Sequence, residues 1–235
     1  MRYELHQHRF GLDIVKSNPE LNELWQEFIG VIDSISDNQI KNEFQNPPQF
    51  HSVKSKRNGK PAKRKRNRMS ISAALNNLIE DGLIAKGWID QSKIFQGSSY
   101  NSERWLLDFS KRVQHPFGDI TGFAVEVAFN HGEAIAWNLM KPQLASDALL
   151  VRTETEIGFG VGIYVCATKQ LKKEGAFDGA VGEFEKVKRY LEPMASKLTC
   201  PLIIVGLREL ETFFVKKSFD SVTRQNTGLI VSKLH

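Results

Sequence analysis

Apolar residues recur along the chain at two spacings. Leu21, Leu24, Trp25, Phe28 and Ile32 share one face of a helix over residues 20–32, with Pro19 at its first position and Asn18 before it to accept the orphan N–H groups. Pro47-Pro48 then breaks the chain. A second helix over 72–86 turns Ala74, Leu75, Leu78 and Ile79 inward, with Ser70 or Ser72 as its cap and Gly87 at its end. Beyond it the pattern changes. Residues 122–129 read as a mostly apolar strand with a single carboxylate, Glu126. Residues 133–144 read as a helix ending near Pro142, with Ile135, Ala136, Leu139 and Met140 apolar. Residues 160–167 and 201–206 are unbroken apolar runs, as expected for strands covered on both faces, and a long amphipathic helix over 181–198 separates them. Strands alternating with helices predict an α/β core, a mixed central sheet flanked by helices. With 235 residues, fifteen Phe and four Trp, a single domain over residues 1–235 can bury a sizeable core.

Charge adds one feature. The net charge is +5, yet residues 54–68 hold nine Lys or Arg and no acid, and subtracting those nine from +5 leaves −4 for the rest. Lys63, Arg64, Lys65, Arg66 and Arg68 form its densest part. Gly, Pro and self-repelling charge oppose regular structure here, so residues 50–69 are expected to be a basic loop or arm. Such a segment favours a polyanion through counterion release, without implying sequence specificity; the plain alternative is a solvated surface loop. No apolar run approaches the ~20 residues of a membrane span, and the chain starts without the apolar core of a signal peptide, so a cytoplasmic protein without a membrane partner is expected. Cys166 and Cys200 both lie in apolar stretches, which argues against disulfides or a zinc ribbon.

Candidate chemistry centres on Glu126. A lone carboxylate within an apolar strand is costly to bury unless it is paired or binds a cation. Asp108 starts what reads as the preceding strand, and residues 114–122 contain the Pro and Gly of a connection. Pairing the two strands would bring Asp108 and Glu126 together at one edge of the sheet. Two oxygen ligands beside a positive segment suit a Mg²⁺ ion acting on a phosphodiester. No phosphate-cradling glycine loop, dinucleotide fingerprint or nucleophile elbow is present, and His6-Gln7-His8 lacks the companions of a metal site.

Several segments in order carry a resemblance: Leu24-Trp25-Gln26-Glu27, Ala74-Leu75-Asn76 leading to Ala85-Lys86-Gly87-Trp88, Asp108-Phe109-Ser110-Lys111, Val125-Glu126-Val127-Ala128-Phe129 and the apolar strand from Pro201 to Leu207. From Leu24 to Leu207 the chain resembles the BglII/BstYI branch of type II restriction endonucleases, within the PD-(D/E)XK nuclease superfamily. The resemblance implies a homodimer that clamps double-stranded DNA and uses Mg²⁺ to cut a short palindromic site, as expected of a restriction-modification system. It makes Asp108 and Glu126 metal ligands together with the Val127 carbonyl, and gives Asn130 and His131 base contacts, for which an Asn amide is suited. The connection after Arg112 is longer than the resemblance implies, leaving Asp119 as a rival to Asp108.

Ala128 departs from the pattern, because the superfamily places Lys there and this branch Gln, to orient the attacking water. Three readings stand open: a cleavage-deficient engineered chain, a natural enzyme that recruits another residue, or a protein that binds without cutting. Lys111 is the candidate replacement, with Glu133 behind it. Outside the resemblance, a non-specific nucleic-acid binder that uses the basic segment alone is the alternative.

Overall fold

The computed structural model describes residues 1–46, 68–95, 105–114, 120–129, 132–146, 160–221 and 225–233. In chain order the elements are β1 (Tyr3–His8), α1 (Gly11–Ser17), α2 (Pro19–Ser34), α3 (Asp37–Gln45), α4 (Ser72–Ala85), β2 (Ile89–Lys93), β3 (Leu106–Gln114), β4 (Ile120–Val127), α5 (Ile135–Ser146), β5 (Val161–Ala167), α6 (Lys169–Glu174), α7 (Phe184–Met194), β6 (Leu202–Leu207), β7 (Phe213–Asp220) and β8 (Gln225–Ser232). Six strands form one mixed sheet in the order β1-β6-β5-β4-β3-β2, and β7 and β8 form a separate hairpin. The central trio β4, β5 and β6 is parallel, while β3 joins β4, β2 joins β3 and β1 joins β6 antiparallel.

Helices cover the parallel strands on both faces, so every residue of β5 and of β6 is buried. On one face α2 and α4 bring Leu21, Trp25, Phe28, Leu75 and Ile79 into one core with Phe123, Val125, Ile163 and Val205. Trp25, Phe28, Trp88 and Phe123 form a ring cluster there, with centroids 5.7–6.5 Å apart. On the other face Ile135 and Leu139 of α5 and Phe184, Val187 and Leu191 of α7 pack with Tyr164, Cys166, Leu202 and Ile204.

Local signals explain several boundaries. Asn18 caps α2 by accepting from the N–H groups of Glu20 and Leu21 at 3.1 and 3.0 Å. Gly87 takes a left-handed φ of 76° after α4, and Trp88 N–H returns to the Leu83 carbonyl. The serine cap expected for α4 is not formed: Ile71 sits at the N-cap, and the Ser70 and Ser72 hydroxyls bond each other at 2.8 Å. Pro142 does not end its helix either. α5 runs to Ser146, because the Gln143 side chain ties this turn down, accepting from Thr199 N–H and Cys200 N–H and donating to Thr199 Oγ1. The long helix expected over 181–198 contracts to α7. None of the helices among the described residues is long and apolar enough to cross a membrane.

Two glycines set how closely layers approach. A Cβ on Gly162 would lie 2.3 Å from Leu202 Cδ2 and 2.7 Å from Pro142 Cβ, so its bare backbone lets α5 settle on β5. A Cβ on Gly122 would lie 2.3 Å from the Lys111 carbonyl oxygen, inside the β3–β4 pairing.

Candidate active site

The β3–β4 register pairs Phe109 with Val125, and one further step sets Asp108 opposite Glu126. The two carboxylates meet, as the sequence suggested, but not at an edge of the sheet. β3 and β4 are interior strands, and the carboxylates lie at the end of the parallel trio where β4 leaves the sheet toward α5. Ligand-binding groups gather at such carboxyl ends of parallel strands. Asp108 Oδ2 accepts from Val127 N–H at 2.7 Å, which fixes its carboxylate against the backbone just beyond Glu126.

Glu126 is only 1% exposed. Its Oε2 accepts a hydrogen bond at 2.8 Å from Lys141 Nζ, itself buried. Its Oε1 is buried and meets no donor at full hydrogen-bond geometry, although the Asp108 backbone N–H lies near enough to oppose the rise of the carboxyl pKa. Tyr164 lies beside Glu126 in the β4–β5 register, and Asn138, one helical turn before Lys141, hydrogen-bonds to it. Burial, together with the neighbouring Asp108, pushes the Glu126 carboxyl up to about 8 against the opposing pull of Lys141. Burial also raises Asp108, opposed by the Val127 N–H and by Lys141. Two carboxylates facing one ammonium leave a net negative pocket once ionised, and a buried carboxylate oxygen without a donor is costly. A cation would satisfy both conditions. Among the described residues no group of three or more His, Cys, Asp or Glu could hold a metal. The centre offers two carboxylates, oxygen donors that suit a hard ion keeping several waters.

A pH dependence follows. The unfolded Glu126 carboxyl loses its proton near 4.5, whereas the folded one keeps it to about 8. The folded state therefore holds the extra proton between those values, and stability falls as pH rises through that window. In metal-free protein, wild type should lose about 5 °C or more of Tm relative to Glu126→Gln across the window. Thermal scans showing a constant difference would contradict this.

The other candidates separate. Lys111 does not reach the carboxylates: it lies opposite Phe123, on the face covered by α2, and donates to Glu27 Oε2 at 2.6 Å and the Lys86 carbonyl at 2.7 Å. Ala128 is 2% exposed and belongs to the apolar cluster of Ile135, Leu139 and Tyr164. Glu133 lies in a short 3₁₀ turn before α5. Arg68 donates to the Glu43 carbonyl at 2.6 Å and pairs with Glu43 Oε1 at 3.3 Å, fastening the end of the basic segment to α3. Asp119, Asn130, His131, Lys63, Arg64, Lys65 and Arg66 lie outside the described residues. Sequence reasoning missed Lys141. The available signal was that it is the one cation in an otherwise uncharged helix directly after the Glu126 strand.

This frame, a mixed sheet in which an antiparallel strand pair meets a parallel crossover between flanking helices, is the fold of a restriction endonuclease. A structure of the restriction endonuclease BglII complexed with a DNA 16-mer superposes with a TM-score of 0.59 at 17% identity, covering 99% of this chain and 100% of that one. A structure of free BglII gives 0.49 at 15% identity, over 99% of this chain and 100% of that one. No curated protein matches the sequence. The family described as restriction endonuclease BglII/BglIII matches residues 3–207. The chain belongs to that family of type II restriction endonucleases, which are deoxyribonucleases.

Proposed function

We propose that this chain is a Mg²⁺-dependent endonuclease that hydrolyses a phosphodiester in each strand of a short palindromic DNA site. The observation that supports it most is the pairing of Asp108 with the buried Glu126, whose Oε1 makes no hydrogen bond, in a chain of this family. Asp108, Glu126 and the Val127 carbonyl would hold the ion. When bound, Mg²⁺ supplies a Lewis acid that lowers the pKa of water and stabilises charge on the phosphate. Two-fold protein symmetry matched to a palindrome makes the active form a homodimer, each copy a single domain over residues 1–235 presenting one centre to one strand. Asn130 and His131, in the connection between β4 and α5, are assigned to base edges. The basic arm, residues 50–69, is assigned to phosphates, with Lys63 to Arg66 as its main contacts.

Digestion of a long sequenced duplex tests this proposal. Discrete fragments with Mg²⁺, and none with EDTA, are expected. Uncut DNA, or a smear without fixed ends, would contradict it.

A further inference from the structure

The chemistry of this centre requires more than two carboxylates. Hydrolysis brings an anionic phosphate and an attacking water next to ionised oxygens, and the new P–O bond builds negative charge on the phosphoryl oxygens. The strand position two beyond Glu126 gives no help, because Ala128 carries no donor and is buried among apolar groups. Lys141 does. It approaches from α5 and is 8% exposed. Its one hydrogen bond among the described residues goes to Glu126 Oε2 at 2.8 Å, which uses one of the three donors of an ammonium.

The packing accounts for its position. Ala128 shares its cluster with Ile135 and Leu139, so a small side chain at 128 lets the first turns of α5 lie against the end of β4. Gly162 admits Pro142 beside it, and Gln143 is locked to Thr199 and Cys200. Lys141 sits between these contacts and is held over Glu126 by neighbours on both sides.

We infer that Lys141 is a catalytic residue of the centre: its ammonium hydrogen-bonds the attacking water and the phosphoryl oxygen while anchored on Glu126. The role rests on the endonuclease reading above. The water oxygen forms a bond to phosphorus, and the bond to the leaving deoxyribose oxygen breaks with its electron pair. The water proton passes to solvent and the leaving oxygen takes one from solvent. Lys141 takes no part in these proton transfers and supplies charge and orientation.

The test compares wild type, Lys141→Met and Lys141→Gln by single-turnover cleavage with Mg²⁺, by Mn²⁺ binding to the protein–DNA complex and by thermal unfolding. Gln retains a donor for Glu126 and guards against a Met variant that fails to fold. Cleavage should fall by about 100-fold or more in either folded variant. Mn²⁺ affinity should hold within about threefold or tighten, since a repelling charge is gone. Cleavage within about threefold of wild type in a folded variant would overturn the role. Loss of Mn²⁺ binding together with cleavage would overturn it too, reducing Lys141 to a support for Glu126. Wild type that fails to cut would overturn the endonuclease reading itself, and this inference with it.

Discussion

Asp108→Asn is expected to abolish Mg²⁺-dependent cleavage, by roughly 10³-fold or more, while specific DNA binding persists. An amide is nearly isosteric with the carboxylate, and its oxygen can still accept from Val127 N–H, the contact that fixes Asp108 at 2.7 Å. The β3–β4 pairing should therefore survive. What disappears is one of the two negative charges in the pocket, and with it much of the attraction for a divalent ion. Removing a charge whose carboxyl burial already disfavours should leave the Tm unchanged or raised, so lost activity would not reflect unfolding. Asp119→Asn serves as the control and should cut normally. Single-turnover rates on a cleavable duplex, with binding measured in Ca²⁺, decide the matter. Normal cleavage by Asp108→Asn together with a dead Asp119→Asn would transfer the metal role to Asp119.

Replacing Lys63, Arg64, Lys65 and Arg66 together by Ala is expected to weaken DNA binding by about 10²–10³-fold near 0.1 M salt. Phosphate contacts contribute by releasing counterions, so the dependence of log affinity on log salt should also flatten by about 3 to 4. Sequence preference should be nearly untouched, because contacts to phosphate position the protein and do not read bases. Arg68 provides an internal contrast. It is already committed to Glu43, so Arg68→Ala should leave the salt slope unchanged and loosen the attachment of the arm. Fluorescence anisotropy over a range of KCl concentrations measures both slopes. A four-residue variant with the wild-type slope would show that the arm does not touch the duplex.

Much of the frame was legible from local pattern. The apolar runs containing β5 and β6 read as strands covered on both faces, and they are. Asn18-Pro19 marked the start of α2. The pairing of Asp108 with Glu126 followed from two successive strands joined by a connection containing Pro and Gly, which favours antiparallel pairing of neighbours, although the length of that connection kept Asp119 open as a rival. What remained hidden depends on tertiary contacts. Pro142 reads as a stop, and only the Gln143 bonds to residues more than fifty positions away explain why α5 continues. The β7–β8 hairpin has no Asn-Gly or Asp-Gly signal in Ser221-Val222-Thr223-Arg224 and little alternation in its strands. Lys141 was obscured for the same reason. A single lysine in a helix reads as a solvated position, and it becomes a buried partner of Glu126 only when the crossover folds α5 back over β4. Lys111, nearer in sequence to the carboxylates, ends on the opposite face because its strand parity places it there.

The most direct test of the centre is the anomalous scattering of Mn²⁺ in crystals of the chain with a cleavable duplex. A peak shared by the Asp108 and Glu126 carboxylates and the Val127 carbonyl, with the scissile phosphate beside it, is the expected result. A peak at other residues, or bound DNA with no metal between these two carboxylates, would contradict the assignment of this pocket as the place where DNA is cut.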